Sequence, residues 1–245
     1  MNQKDKPPGL LISGTDTGVG KTKVTSWLAA ELVRRGINLG LSKPVASGAE
    51  WVDGLPTWGD TESLRRVCPM NPSVDEITPI RFLEPLAPNV AARRDPAWQQ
   101  RTLMLTDYLS AIACWNGRCE ALLVEGVGGL LCPITDQATM ADLAVAWGRP
   151  VLLVVRQGLG TINHTMMTLE IARARGIEIV GLVMNRSEEG PLSPADQTNR
   201  EELARWVDVP IWGPIDFQSA FDPIPAVITT MVDALLERWR ASASS

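Results

Sequence analysis

Nine residues near the N-terminus, Gly14-Thr15-Asp16-Thr17-Gly18-Val19-Gly20-Lys21-Thr22, restrict the architecture more than any other part of the chain. They follow the apolar run Leu10-Leu11-Ile12 and precede a stretch in which Val24, Leu28 and Leu32 recur at four-residue spacing. The run reads as a strand and the recurrence as a helix with one apolar stripe. A glycine-rich turn between strand and helix is the setting of a phosphate-binding loop. Glycines let the backbone turn its N–H groups around phosphate oxygens, and the helix N-terminus adds positive potential. Lys21 is then placed to reach the β and γ phosphates and the Thr22 hydroxyl to ligate Mg²⁺, so the expected ligand is a nucleoside triphosphate. Five residues separate Gly14 from Gly20, one more than the strict G-x-x-x-x-G-K-[ST] spacing.

The rest of the chain repeats that alternation. Apolar, continuous runs at Leu39-Gly40-Leu41, Ala121-Leu122-Leu123-Val124, Val151 to Val155 and Ile179 to Val183 suit strands buried on both faces of a parallel sheet. Helical patterns are expected near residues 21–35, 98–116, 139–147, 161–175, 196–207 and 225–240. The predicted fold class is α/β, a doubly wound, mostly parallel sheet of the P-loop NTPase type, in one domain over residues 1–245. Met1 to Pro8 and Ala241 to Ser245 are expected to fray. Residues 69–96 and 187–225 hold six prolines each and read as excursions over the sheet rim.

Composition narrows the function. The chain has 245 residues, 45% apolar and 21% charged, enough to build a core and too apolar for disorder. No apolar run approaches the ~20 residues of a membrane-spanning helix, and the one before Gly14 is too short for a signal peptide, so a cytoplasmic location is expected. A net charge of −5 disfavours nucleic acid and membrane surfaces as partners and favours a small molecule. Four cysteines without C-x-x-C spacing read as reduced structural thiols, and a single histidine, His164, argues against a zinc site or a Ser-His-Asp hydrolase.

Further candidates lie at strand ends. Lys43-Pro44-Val45-Ala46-Ser47-Gly48 follows the second expected strand, at the edge where open α/β sheets bind ligands. Lys43 and Ser47 are suited there to a phosphoryl group, with a solvated lysine before a proline turn as the alternative. Glu125 ends a strand and is an expected Mg²⁺ ligand; Asp60 suits either that role or a helix N-cap. Thr161-Ile162-Asn163-His164 opens a helix and offers either free N–H groups to a carboxylate or a plain Thr161 cap. Asn185 either reads a base edge or terminates its strand.

Assembled in order, GTDTGVGKT, KPVASG, Asp60, EPLAPNVAARR, VEGVGGLL and GTINHTMMTLEIARARGIEIVGLVMN resemble the dethiobiotin synthetase family from about residue 10 to about residue 185. The resemblance implies a homodimeric P-loop enzyme that closes a cyclic urea from 7,8-diaminopelargonate, CO₂ and MgATP. It implies that Thr17, Gly18, Val19, Gly20, Lys21 and Thr22 hold the nucleotide, that Thr22, Asp60 and Glu125 organise Mg²⁺, and that Lys43 and Ser47 face the carbamate and γ-phosphate. Lys43 and Lys21 are the implied catalytic pair and Asn185 the adenine contact. Thr161, Ile162 and Asn163 would hold the carboxylate of a substrate bound across the dimer interface. Gly18 stands where some members carry a carboxylate. A partition-type switch ATPase would instead carry a lysine early in the loop, where this chain has Asp16.

Overall fold

The computed structural model describes residues 7–217 and 220–243. The chain opens with β1 (Gly9–Gly14), the phosphate-loop turn and α1 (Lys21–Arg34), then β2 (Leu39–Ser42). Short elements follow: β3 (Val45–Ser47), the hairpin β4 (Glu50–Val52) and β5 (Leu55–Thr57), α2 (Gly59–Val67), α3 (Val74–Ile77), β6 (Ile80–Phe82) and α4 (Pro88–Arg94). Then come α5 (Leu105–Ala113), β7 (Ala121–Gly129), α6 (Met140–Trp147), β8 (Val151–Arg156) and α7 (Thr161–Ala174). The chain closes with β9 (Ile179–Asn185), α8 (Pro194–Leu203), β10 (Ile211–Ile215) and α9 (Ala226–Ala243).

Among the described residues the main sheet has six strands in the order β10-β9-β8-β1-β7-β2, every pair parallel. Helices flank it: α1 lies against β1, β2 and β7 and packs on α2 and α9, while α6 and α7 cover β7 and β8. All six residues of β1 are buried, as are the first five of β8, which is why their sequences run apolar without alternation. Each fully buried Leu or Val there contributes roughly 1.5–3 kcal/mol. Trp27 of α1 is fully buried, and its indole N–H donates to the Phe221 carbonyl at 2.8 Å, tying the segment before α9 to the core.

Several expectations change. The segment read as a rim excursion over 187–225 contains β10, the sixth strand, which carries Gly213 and Pro214 and tolerates them because it is an edge strand with a bulge between Trp212 and Ile215. The excursion over 69–96 contains α3, β6 and α4, with β6 pairing β3 in a small parallel sheet. The helix expected over 98–116 is confined to α5: Asp107 accepts the Met104 N–H at 2.8 Å and sets the start, and Gly117 at φ 72° follows the end. A capping box between Ser193 and Asp196, with Pro194 in the first turn, starts α8 at residue 194. Of the expected frayed ends, residues 1–6 and 244–245 lie outside the described residues. Within them, the Pro8 carbonyl accepts the Leu122 N–H at 3.0 Å and α9 continues to Ala243. No helix among the described residues is long and apolar enough to cross a membrane.

Candidate active site

The site forms at the carboxyl ends of β1 and β2 and along β7, in which Glu125 is the fifth of nine residues and not the end of the strand that its sequence suggested. After Gly14 the backbone enters the left-handed region at Gly18 (φ 72°) and Gly20 (φ 95°), which side-chain-bearing residues rarely adopt. Gly20 also meets a spatial limit, since a Cβ there would lie 2.2 Å from Asn185 Nδ2. That amide donates to the Val19 carbonyl at 2.9 Å, and the Thr15 N–H donates to the Val154 carbonyl at 3.1 Å, so β8 and β9 both hold the loop. Lys21 folds back across it, donating to the Asp16 carbonyl at 2.8 Å.

Lys43, 4% exposed, donates to Glu125 Oε1 at 2.7 Å and to the half-exposed Asp60 carboxylate. Thr22 Oγ1 donates to the same Glu125 oxygen at 2.7 Å. Burial alone would depress the Lys43 ammonium, but Glu125 and Asp60 outweigh it and hold the group above the ordinary lysine range. Burial would raise the Asp60 carboxyl, and Lys43 and Thr22 outweigh that and hold it below the usual range. At Lys21 burial prevails over the attraction of Glu125, and its pKa falls below the ordinary value.

These groups also fit a divalent cation. Glu125 is 1% exposed, and its second oxygen, Oε2, is buried without a hydrogen-bond partner. Such an orphaned acceptor costs about 1–3 kcal/mol or more when charged, a cost that a bound cation removes. Thr22, Asp60 and Glu125 offer the hard oxygen donors that Mg²⁺ would take.

One cavity of about 550 Å³ brings together Thr17, Gly18, Gly20, Lys21, Thr22, Lys43, Ser47, Asp60 and Glu125. Both lysines therefore face one space. Asp60 sits in the first turn of α2, with Trp58 at the N-cap, so the capping alternative falls to the Lys43 contact. Gly160 caps α7, and Thr161 is its first helical residue, which corrects the reading of Thr161 as the cap. Thr161, Ile162 and Asn163 do not line the 550 Å³ cavity of their own chain. Val19 is buried beneath the loop, and Asn185 is 4% exposed behind it.

Sequence reasoning gave no role to several wall residues. Pro85, Leu86 and Ala87 close one side of the cavity; the glycine at position 48 (φ 82°) against Pro85, where a Cβ would approach to 3.0 Å, is the local signal that this proline loop packs back on the site. Cys132 lines the main cavity and a neighbouring one of about 390 Å³, which reaches His164, Met167 and Ile171.

Comparison with known proteins now decides the family. An AAA-domain family model matches residues 8–224. An ATP-dependent dethiobiotin synthetase from Anaeromyxobacter sp. (strain Fw109-5) is 44% identical over 209 residues, covering 82% of this chain and 90% of that protein. The protein of the same name from Thermodesulfovibrio yellowstonii is 38% identical over 212 residues, covering 84% and 87%. The chain belongs to the dethiobiotin synthetase family. Among solved structures, cobyrinic acid a,c-diamide synthase from Mycobacterium smegmatis matches with a TM-score of 0.55 at 15% identity, covering 96% of each chain. A ParA family ATPase from Chlorobium tepidum matches at 0.54 and 11%, covering 95% of this chain and 98% of that one. At such identities these two show the shared fold alone.

Proposed function

We propose that this chain is an ATP-dependent dethiobiotin synthetase, a cytoplasmic cyclo-ligase of biotin biosynthesis that acts as a homodimer. It closes the ureido ring from 7,8-diaminopelargonate and CO₂ and releases ADP and phosphate. The observation that carries this reading is the convergence of Lys21, Lys43, Thr22, Asp60 and Glu125 on one cavity.

One substrate amine captures CO₂ as a carbamate. A carbamate oxygen attacks the γ-phosphorus in line and expels ADP, and the second amine attacks the carbonyl carbon of the resulting carbamic-phosphoric anhydride and expels phosphate. No protein nucleophile is needed, so catalysis is positioning and charge neutralisation. The loop N–H groups of Gly18 to Thr22 and the Lys21 ammonium hold the triphosphate. Lys43, kept charged by its two carboxylates, neutralises the carbamate and γ-phosphoryl oxygens, and the Ser47 hydroxyl faces the same group. Mg²⁺ held by Thr22, Asp60 and Glu125 would supply further neutralisation of the phosphate oxygens. Asn185 contacts the adenine. Thr161, Ile162 and Asn163 receive the carboxylate of the substrate bound to the partner subunit, a role consistent with their lying outside their own chain's cavity.

Labelled CO₂, MgATP and diaminopelargonate supplied to the purified protein test the reaction. Labelled ureido product and diamine-dependent phosphate release are expected; phosphate release without labelled product would move the activity to another acceptor.

A further inference from the structure

We propose that Arg156 is a positioning residue for the phosphate loop, aiming the Gly18 N–H into the nucleotide cavity by holding the Thr17 carbonyl away from it. Arg156 and Asn185 end the adjacent parallel strands β8 and β9 and are partners in register. Each reaches the loop. The Asn185 amide donates to the Val19 carbonyl at 2.9 Å, and the Arg156 guanidinium donates to the Thr17 carbonyl at 3.2 Å. Two facing side chains thus take alternate carbonyls of one turn.

A trans peptide is planar, and its carbonyl and the following N–H point in opposite directions. Fixing the Val19 carbonyl therefore fixes the Gly20 N–H, and fixing the Thr17 carbonyl fixes the Gly18 N–H. Both glycines line the cavity and both have positive φ, the state in which such planes are least restricted by side chains. The two clamps differ in what else supports them. Val19 is fully buried, whereas Asp16, Thr17 and Gly18 are exposed, so this half of the loop has little packing to hold its peptide planes. The guanidinium is oriented in turn by Glu188, at 3.6 Å, in the segment after β9. A planar fork holds a carbonyl and a carboxylate at once, which a lysine ammonium on a flexible stem does not reproduce.

The inference rests on the loop binding a nucleotide's phosphates, and its test measures MgADP without any diamine, so that a failure of ring closure and a failure of Arg156 are separately visible. MgADP affinity by calorimetry and steady-state kinetics are measured on the full chain carrying Arg156→Ala, Arg156→Lys or Glu188→Gln. Arg156→Ala should weaken MgADP about tenfold and raise KM for ATP by a similar factor, with kcat within about twofold, because the contact acts on ground state and transition state alike. Arg156→Lys should recover only part of the affinity. Glu188→Gln, an exposed change that does not threaten folding, should weaken MgADP about threefold by releasing the guanidinium's second anchor. Full recovery by Arg156→Lys would reduce the residue to a charge near the phosphates and overturn the proposal. MgADP affinities within about twofold of the parent for both Arg156→Ala and Glu188→Gln would overturn it equally.

Discussion

Replacing Lys43 by methionine, which keeps most of the side chain's volume and removes its charge, separates two effects of the ion cluster. The Lys43 and Glu125 side chains are 5% and 0% exposed and meet at 2.7 Å. Removing one partner of such a pair leaves an uncompensated buried charge and typically costs about 3–5 kcal/mol. Thr22 still donates to Glu125, and the Asp60 contact is half in solvent, so the lower end, about 3 kcal/mol, is expected. For a chain of this size that is a fall in Tm of about 6–12 °C. The loss of a preorganised cation at the reacting oxygens should independently lower kcat by about 100- to 1000-fold. A Lys43→Met/Glu125→Gln double variant no longer buries a lone charge and should regain most of the thermal stability without regaining turnover. Thermal melts and phosphate release with labelled CO₂ read the two effects. A Lys43→Met variant that melts within about 2 °C of the parent and keeps more than about a tenth of kcat would refute both effects.

Gly20→Ala places a methyl group 2.2 Å from Asn185 Nδ2 at φ 95°, and should weaken MgADP by about 100-fold or more, as calorimetry would show. Thr22→Val removes the hydroxyl that bonds Glu125 and should raise the half-saturating Mg²⁺ concentration about tenfold, measured as phosphate release in a Mg²⁺ titration, while EDTA should abolish turnover of the parent. The Ser73 N–H, Arg118 and the Ser73 hydroxyl hold the Glu76 carboxyl at about 2 against an ordinary 4.5. A pKa lowered on folding stabilises above the unfolded value and is lost as pH falls towards the folded one, so the benefit of Glu76 should fade between pH 4.5 and about 2. Because the Arg118 pair is exposed, Glu76→Gln should cost no more than about 1 kcal/mol at neutral pH and narrow the parent's loss in acid, checked by urea melts at about pH 5 and about pH 3.

The legible parts of the fold were those in which one physical cause dominates. Burial on both faces writes itself as an unbroken apolar run, so β1, β7, β8 and β9 stand out, and a strand followed by Gly-rich turn and Lys-Thr fixes where phosphate would lie. Strand β10 was hidden because Ile211-Trp212-Gly213-Pro214-Ile215 carries two residues that argue against a strand in any interior position. The pairing of β3 with β6 involves three residues on each side, too few for a period to show. At the site, Lys43, Asp60 and Glu125 could be named as separate candidates, but their mutual contact depends on α2 returning to β2 across a hairpin, a tertiary fact. The Arg156 contact depends on strand register, and the Thr161 segment is read from its helix start alone.

The two outer strands of the main sheet end its hydrogen-bond ladder in different ways. On one side β2 is wholly buried and the chain beyond it is stitched down, with the Lys43 N–H donating to the Ile77 carbonyl at 2.9 Å; on the other, β10 presents an exposed proline within a bulge. Neither offers a long, straight template on which a foreign segment could zip, so the molecule is guarded against fibril-like stacking from both flanks. Continuous extension of the main sheet from one copy into another is therefore disfavoured at both of its edges.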